Sequence, residues 1–251
     1  MRIIRAMSLA VIVTGFATPA SAQVVQSLGV GMGIFMPRGY DTRVDGDVLV
    51  ANLTQPEVLP GVSGSLAFDI GDFRSFPLFG EWNVALNRNI EFSVGVSFSN
   101  KKVDSVYLDL LNSHGTPSTS DDTEIEQDLR LRMIPITGIV RFLPFGDATS
   151  VQPYVGGGIA AVNFRYTETG EFVDPSDLAI FADRFVATGT ALGGVILGGI
   201  RLPMGGDVYA FTVEGRYQFA SGKTGGAQAN FLGDKIDLSG GLVNFGLIVR
   251  F

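Results

Sequence analysis

From about residue 24 onward, apolar residues recur at every second position, the period of strands that are apolar on one face only. Leu28, Val30, Met32, Ile34 and Met36 alternate with Ser27, Gly29, Gly31 and Gly33. Ile90, Phe92, Val94, Val96 and Phe98 alternate with Glu91, Ser93, Gly95, Ser97 and Ser99. Tyr209, Phe211, Val213, Tyr217 and Phe219 share one parity, and Thr212, Glu214, Arg216 and Gln218 the other. Val243, Phe245, Leu247, Val249 and Phe251 close the chain in the same way. The pattern predicts about eight strands, near residues 24–40, 77–87, 89–100, 128–142, 151–167, 186–202, 207–220 and 236–251.

Most of these segments reach the roughly 9 to 11 residues that cross a bilayer at a tilt. Their connections alternate in length. Long polar stretches follow the first, third, fifth and seventh segments, whereas "NRN" (87–89), "LPFGDATS" (143–150) and "PMGGD" (203–207) follow the others. Long and short connections therefore gather at opposite ends of one antiparallel sheet. This predicts an all-β fold, an eight-stranded antiparallel transmembrane β-barrel with long outer loops and short periplasmic turns.

A soluble β-sandwich or lipocalin-like barrel would turn the apolar face inward. Gly29, Gly31, Gly33 and Gly95, with Glu91, Glu214 and Arg216 on the same small or polar faces, suit a narrow, filled interior better. Aromatic residues also cluster near segment ends: Phe142, Phe145, Tyr154 and Phe251 on the turn side, and Tyr40, Phe98, Tyr166, Tyr217 and Phe219 on the loop side. Such girdles belong at membrane interfaces.

Composition sharpens this picture. The 251 residues are 46% hydrophobic, with 33 Gly, 19 Phe and no Cys, so thiol catalysis and thiolate metal sites are excluded. No apolar run approaches the roughly 20 residues of a spanning helix. The first 22 residues, with Arg2 and Arg5, an apolar stretch at Ala6–Val13 and Ala20-Ser21-Ala22, have the layout of a cleaved signal peptide. Residues 23–251 then form the barrel domain. Without Arg2 and Arg5 the chain has 16 Lys+Arg against 25 Asp+Glu, near −9, which argues against nucleic acid as a partner.

The ending "NFGLIVRF" resembles the C-terminal assembly signal of bacterial outer-membrane barrels, with Asn244, Gly246, Val249 and Phe251 in the matching places. The chain from residue 23 resembles the OmpA-like family of small eight-stranded barrels, and "QPYVGGGIAAVNFRY" is similar to a strand common in it. The resemblance implies location in the cell outer membrane, recognition of the last strand by the barrel-assembly machinery, and contact with outer-membrane lipid and lipopolysaccharide. No peptidoglycan-binding domain is expected after the barrel, so anchoring of the cell wall by that route is not expected.

Chemical motifs add little. "SGKTGG" (221–226) lacks the upstream glycine of a phosphate loop, where Tyr217 stands, and "GVGMG" (29–33) lies within a strand. His114 is the single histidine, beside Ser113 in a turn-rich loop, which supports neither a strand-borne nucleophile and base nor a histidine metal site. No cofactor or catalytic residue is expected. The acidic segments "SDDTEIEQD" (120–128) and "TETGEFVDPSD" (167–177) read as solvated loops, with weak divalent-cation binding among lipid phosphates as the functional alternative.

Inside the barrel, Glu81, Glu91, Asn163, Arg165, Glu214 and Arg216 are expected to form a polar network across the lumen. Loss of Arg216 alone should cost about 3 to 5 kcal/mol if its burial is complete. The expected role is non-enzymatic, structural or surface-interacting. A narrow channel for small or hydrophobic solutes and a lipid-modifying enzyme are the alternatives.

Overall fold

The computed structural model describes residues 25–251 except 56, 60, 61, 109–124, 148, 149, 175–178, 205 and 207. The signal-peptide segment, His114, Ser113 and parts of both acidic segments therefore lie outside the described residues. Eight long strands are present: β1 (Val25–Pro37), β2 (Leu78–Ala85), β3 (Ile90–Tyr107), β4 (Glu126–Phe142), β5 (Gln152–Val173), β6 (Ile180–Met204), β7 (Tyr209–Lys223) and β8 (Gly240–Arg250). Each pairs antiparallel with its sequence neighbours, and β8 pairs with β1 from Ser27↔Arg250 to Pro37↔Gly240, so the ring closes. Closure leaves no open edge around the belt, while β6 beyond Gly193 is paired with β5 alone. Two short strands, Leu66–Ala67 on β3 and Lys235–Asp237 on β7, extend the rim.

The apolar parity faces outward. Leu28, Val30, Met32, Phe92, Val96, Ile136, Ile159, Leu192, Phe211, Leu247 and their strand neighbours form a continuous outer belt, and several stay more than half exposed. In water such a belt would be a large contiguous apolar patch; against hydrocarbon it is the expected surface. Phe142, Phe145 and Phe251 rim it at the turn end, as predicted from the sequence, joined by Trp82 and Tyr209. Tyr154 and Tyr166 do not: both point inward and are buried, because each hydroxyl finds a partner inside the bore.

The strands run farther at the loop end than the alternation suggests. β5 has 22 residues and β6 has 25, and they stay paired up to Val173↔Ile180. The presumed long loop after the fifth segment is thus mostly hairpin.

The first connection folds back over the bore. Its helix α1 (Val48–Leu53) starts at Asp47, whose carboxylate accepts from the Val50 amide. Asp47 also pairs with Arg43 and accepts from the Asp237 amide, while Arg43 donates to the Asp237 carbonyl at 2.8 Å. Val48 and Leu49 are thereby buried, together with Phe231, Ile236 and Leu238 of the last connection. Below them, Leu129, Leu131, Met133, Val162, Phe164 and Tyr166 fill the loop half of the bore. Phe164 lies over Gly189 and Gly222, where a Cβ would meet its ring.

Candidate functional site

The turn half of the bore is polar. Arg141 of β4, 1% exposed, lies at its centre. Its guanidinium donates to Glu81 at 2.8 Å, to Glu214 at 3.0 Å and to Asn83 at 2.9 Å, and it also reaches Glu91 and Ser93. Arg201 of β6 forms a two-pronged pair with Glu91 at 2.8 and 3.0 Å. Arg216 donates to Glu214 at 2.7 and 3.0 Å. The Tyr154 hydroxyl donates to Glu214 at 3.2 Å, and its ring lies 5.4 Å from Arg141 Cζ and 5.9 Å from Arg201 Cζ. Three arginines thus face three glutamates with no net charge. This is the condition under which buried ions are tolerated, since a charge stripped of water and left unpaired costs several kcal/mol.

Local sequence explains how these long side chains fit. Gly29 of β1 faces Glu81, whose Cγ would be 2.9 Å from a Cβ there, and Gly199 leaves room for the Tyr154 ring. The glycine parity is the space into which the charged side chains project.

Of the six expected lumen residues, Glu81, Glu91, Glu214 and Arg216 meet in this cluster. Asn163 and Arg165 do not, because on β5 the inward parity is even: Val162, Phe164, Tyr166 and Glu168 point in. Asn163 is on the outer face beside Thr190, and Arg165 pairs across strands with Arg132, also outward. Arg141 and Arg201 were missed, although each has the parity opposite to lipid-facing neighbours, Val140 and Phe142 in one case and Ile200 and Leu202 in the other.

The acidic segments also divide. Asp128 points outward and pairs with Lys102 at 2.8 Å, whereas Glu168 turns inward and accepts from Asn52 at 2.7 Å and Tyr166 at 2.9 Å. Among the described residues no group of three or more His, Cys, Asp or Glu side chains is placed to hold a metal ion.

At the chain end, Asn244 faces the bore, Val249 faces outward, and Gly246 abuts Phe79 and Thr212, where a Cβ would be crowded. Phe251 is 69% exposed, yet its amide donates to the Gln26 carbonyl at 3.0 Å.

A closed antiparallel ring with an apolar outer belt and a polar, filled bore defines the fold of the small outer-membrane β-barrels. Among solved structures, the chain is similar to the outer membrane protein OprG from Pseudomonas aeruginosa, at 14% identity and a TM-score of 0.51, over 91% of this chain and 96% of that one. It also aligns with Neisserial surface protein A at 14% identity and a TM-score of 0.42, over 91% and 96% of the two chains. No family model matches the sequence, and no curated protein matches it.

Proposed function

We propose that the protein is a non-enzymatic barrel of the bacterial outer membrane with a structural or surface-interacting role, and that its bore does not conduct. The observation that carries this reading is the Arg141 cluster, which joins side chains from β2, β3, β4, β5, β6 and β7 across the lumen. An eight-stranded ring is only about wide enough to be filled by its own side chains, and here it is. A hollow of about 410 Å³ on the outer wall, beside Gly198, Gly215 and Gly241, is not a side gate, because β6, β7 and β8 stay paired through it. In planar bilayers the folded monomer should give at most small, infrequent current steps, and liposomes carrying it should not swell in sugars. Stable large conductance would promote the narrow-channel alternative.

Contact with lipopolysaccharide belongs to the same proposal. Arg130, Arg132 and Arg165 point outward just beyond the belt, Lys102 stands opposite Arg130, and Arg132 stands opposite Arg165. Lys102 is already paired with Asp104 and Asp128, but the like charges of Arg132 and Arg165 repel across adjacent strands, and anionic lipid phosphates would relieve that. This favours direct basic contact over cation bridging by the acidic loops. Membership of the OmpA-like family, export by a signal peptide and recognition of Asn244, Gly246, Val249 and Phe251 by the assembly machinery complete the reading.

A further inference from the structure

Above the apolar core, the loop end of the barrel holds a cavity of about 320 Å³. Its wall comes from five places: α1 and the residues after it (Asn52, Gln55), the short rim strand (Leu66), the ends of β3 and β4 (Tyr107, Gln127), the β5–β6 hairpin, and the last connection (Asn230, Leu232). The hairpin supplies both kinds of chemistry. Phe172 lies 4.6 Å from Phe185 and 5.9 Å from Phe181, ring centre to ring centre, and Glu168 lies beneath them.

The buried polar groups of this wall are unequally satisfied. Asn52 spends its amide protons on Glu168 and the Tyr166 hydroxyl. Gln127, 3% exposed, spends its amide nitrogen on the Glu171 carbonyl at 3.1 Å, which fixes the orientation of its side chain. The Gln127 Oε1 atom is left buried with no hydrogen-bond partner among the described residues. Glu168 is 5% exposed, both of its described bonds come from neutral donors to one oxygen, and no ion pair reaches it among the described residues. The buried amide donors are therefore used up, and one buried acceptor, Gln127 Oε1, remains unmet among the described residues. A native structure seldom leaves buried acceptors unmet, so a ligand that brings donors is the natural complement.

Charge points the same way. The charged side chains among the described residues that line the cavity, Glu168 and Asp183, are both acidic. Asp183 stands at the cavity rim. A lining with carboxylates and no described basic side chain favours a cationic guest. A metal ion has too few converging carboxylates among the described residues, and three aromatic rings are poor company for one. A cation with an apolar body matches both halves of the wall, because aromatic faces attract organic ammonium groups.

We propose that this cavity is a binding site for a small organic ammonium ion, its head on Glu168 and the Gln127 carbonyl oxygen and its apolar body against Phe172, Phe181 and Phe185. The size agrees, since about 300 Å³ is the lower end of ligand pockets. The site lies beyond the charged cluster that closes the bore, so it stands apart from the non-conducting reading and its test is independent of conductance.

The test is calorimetric titration of the full folded barrel, in a non-ionic maltoside detergent, with benzylammonium, benzyl alcohol and benzoate. Benzylammonium should bind at least about tenfold more tightly than benzyl alcohol, and benzoate should not bind, because a charge-assisted pair is then gained or opposed. Glu168→Gln should abolish the preference for the cation. If that variant does not fold, Phe181→Ala at the exposed rim should fold and weaken benzylammonium by about threefold or more. Equal binding of cation and alcohol, no binding by the native protein, or unchanged affinity in the folded variants would each overturn the proposal.

Discussion

At the scale of single residues, the charged cluster distributes its energy unevenly. Arg141 serves three carboxylates and two neutral acceptors, so replacing it strands several buried groups at once. Arg141→Leu should destabilise the barrel by about 3 to 5 kcal/mol, read as the shift in urea unfolding in micelles. Arg216→Leu should cost less than the 3 to 5 kcal/mol expected from the sequence. Its side chain keeps 12% exposure, and Glu214 retains Arg141 and Tyr154 when Arg216 is lost. Equal costs for the two would show that the hub does not lie on Arg141. The residue scale is also where the sequence misled most. Inside the belt, polar means inward, and that rule places Glu81, Glu91, Glu214 and Arg216. Beyond the belt the outer face meets headgroups or water and the inner face is packed by Phe164 and Tyr166, so the rule inverts and Asn163 and Arg165 go outside. Nothing in the alternation marks where that inversion occurs, because Tyr166 and Arg165 suit either face.

Among the elements, β8 has to close the ring, and its last residue shows how. The Phe251 amide bonds to Gln26, and the Arg250 amide to Val208, so the end of the chain is tied to the segments on either side of it. Deleting Phe251 removes one of these ties together with an interfacial aromatic. Export should be unaffected, while the fraction showing heat-shifted mobility on gels, taken from isolated membranes under matched expression, should fall. An undiminished folded fraction would remove the assembly role from Phe251. Strand existence and parity were legible because a one-face apolar strand has an unambiguous period. The helix α1 was not, since "VLVANL" is only six residues long and is held by Asp47, Arg43 and Asp237, contacts between segments far apart in the chain.

For the whole molecule, two closures stand in series: the charged cluster in the turn half, and the apolar core capped by α1 in the loop half. Neither alone decides permeability. Arg141→Ala should leave the bore sealed by the core, and excising residues 40–53 together with Phe164→Ala and Tyr166→Ala should leave it sealed by the cluster. The combined variant, if it folds, should conduct in planar bilayers. Conductance in either single variant would show that one closure is nominal.

The height of the β5–β6 hairpin has a consequence for what the outside world meets first. On β6 the unbroken outward apolar series ends at Leu192, with Val186 alone beyond it, and the strand continues to Ile180. At about 3.3 Å per residue and a tilt of about 40°, those further residues rise roughly 30 Å beyond the hydrocarbon. The hairpin is therefore a mast rather than a tether: a stiff, hydrogen-bonded post that carries its tip through the inner sugars of the lipid layer. An antibody fragment or a phage fibre would meet the described end of this post together with the ends of β3 and β4 beside it. A dissolved molecule would arrive at the mouth by ordinary diffusion through water, without first partitioning into lipid.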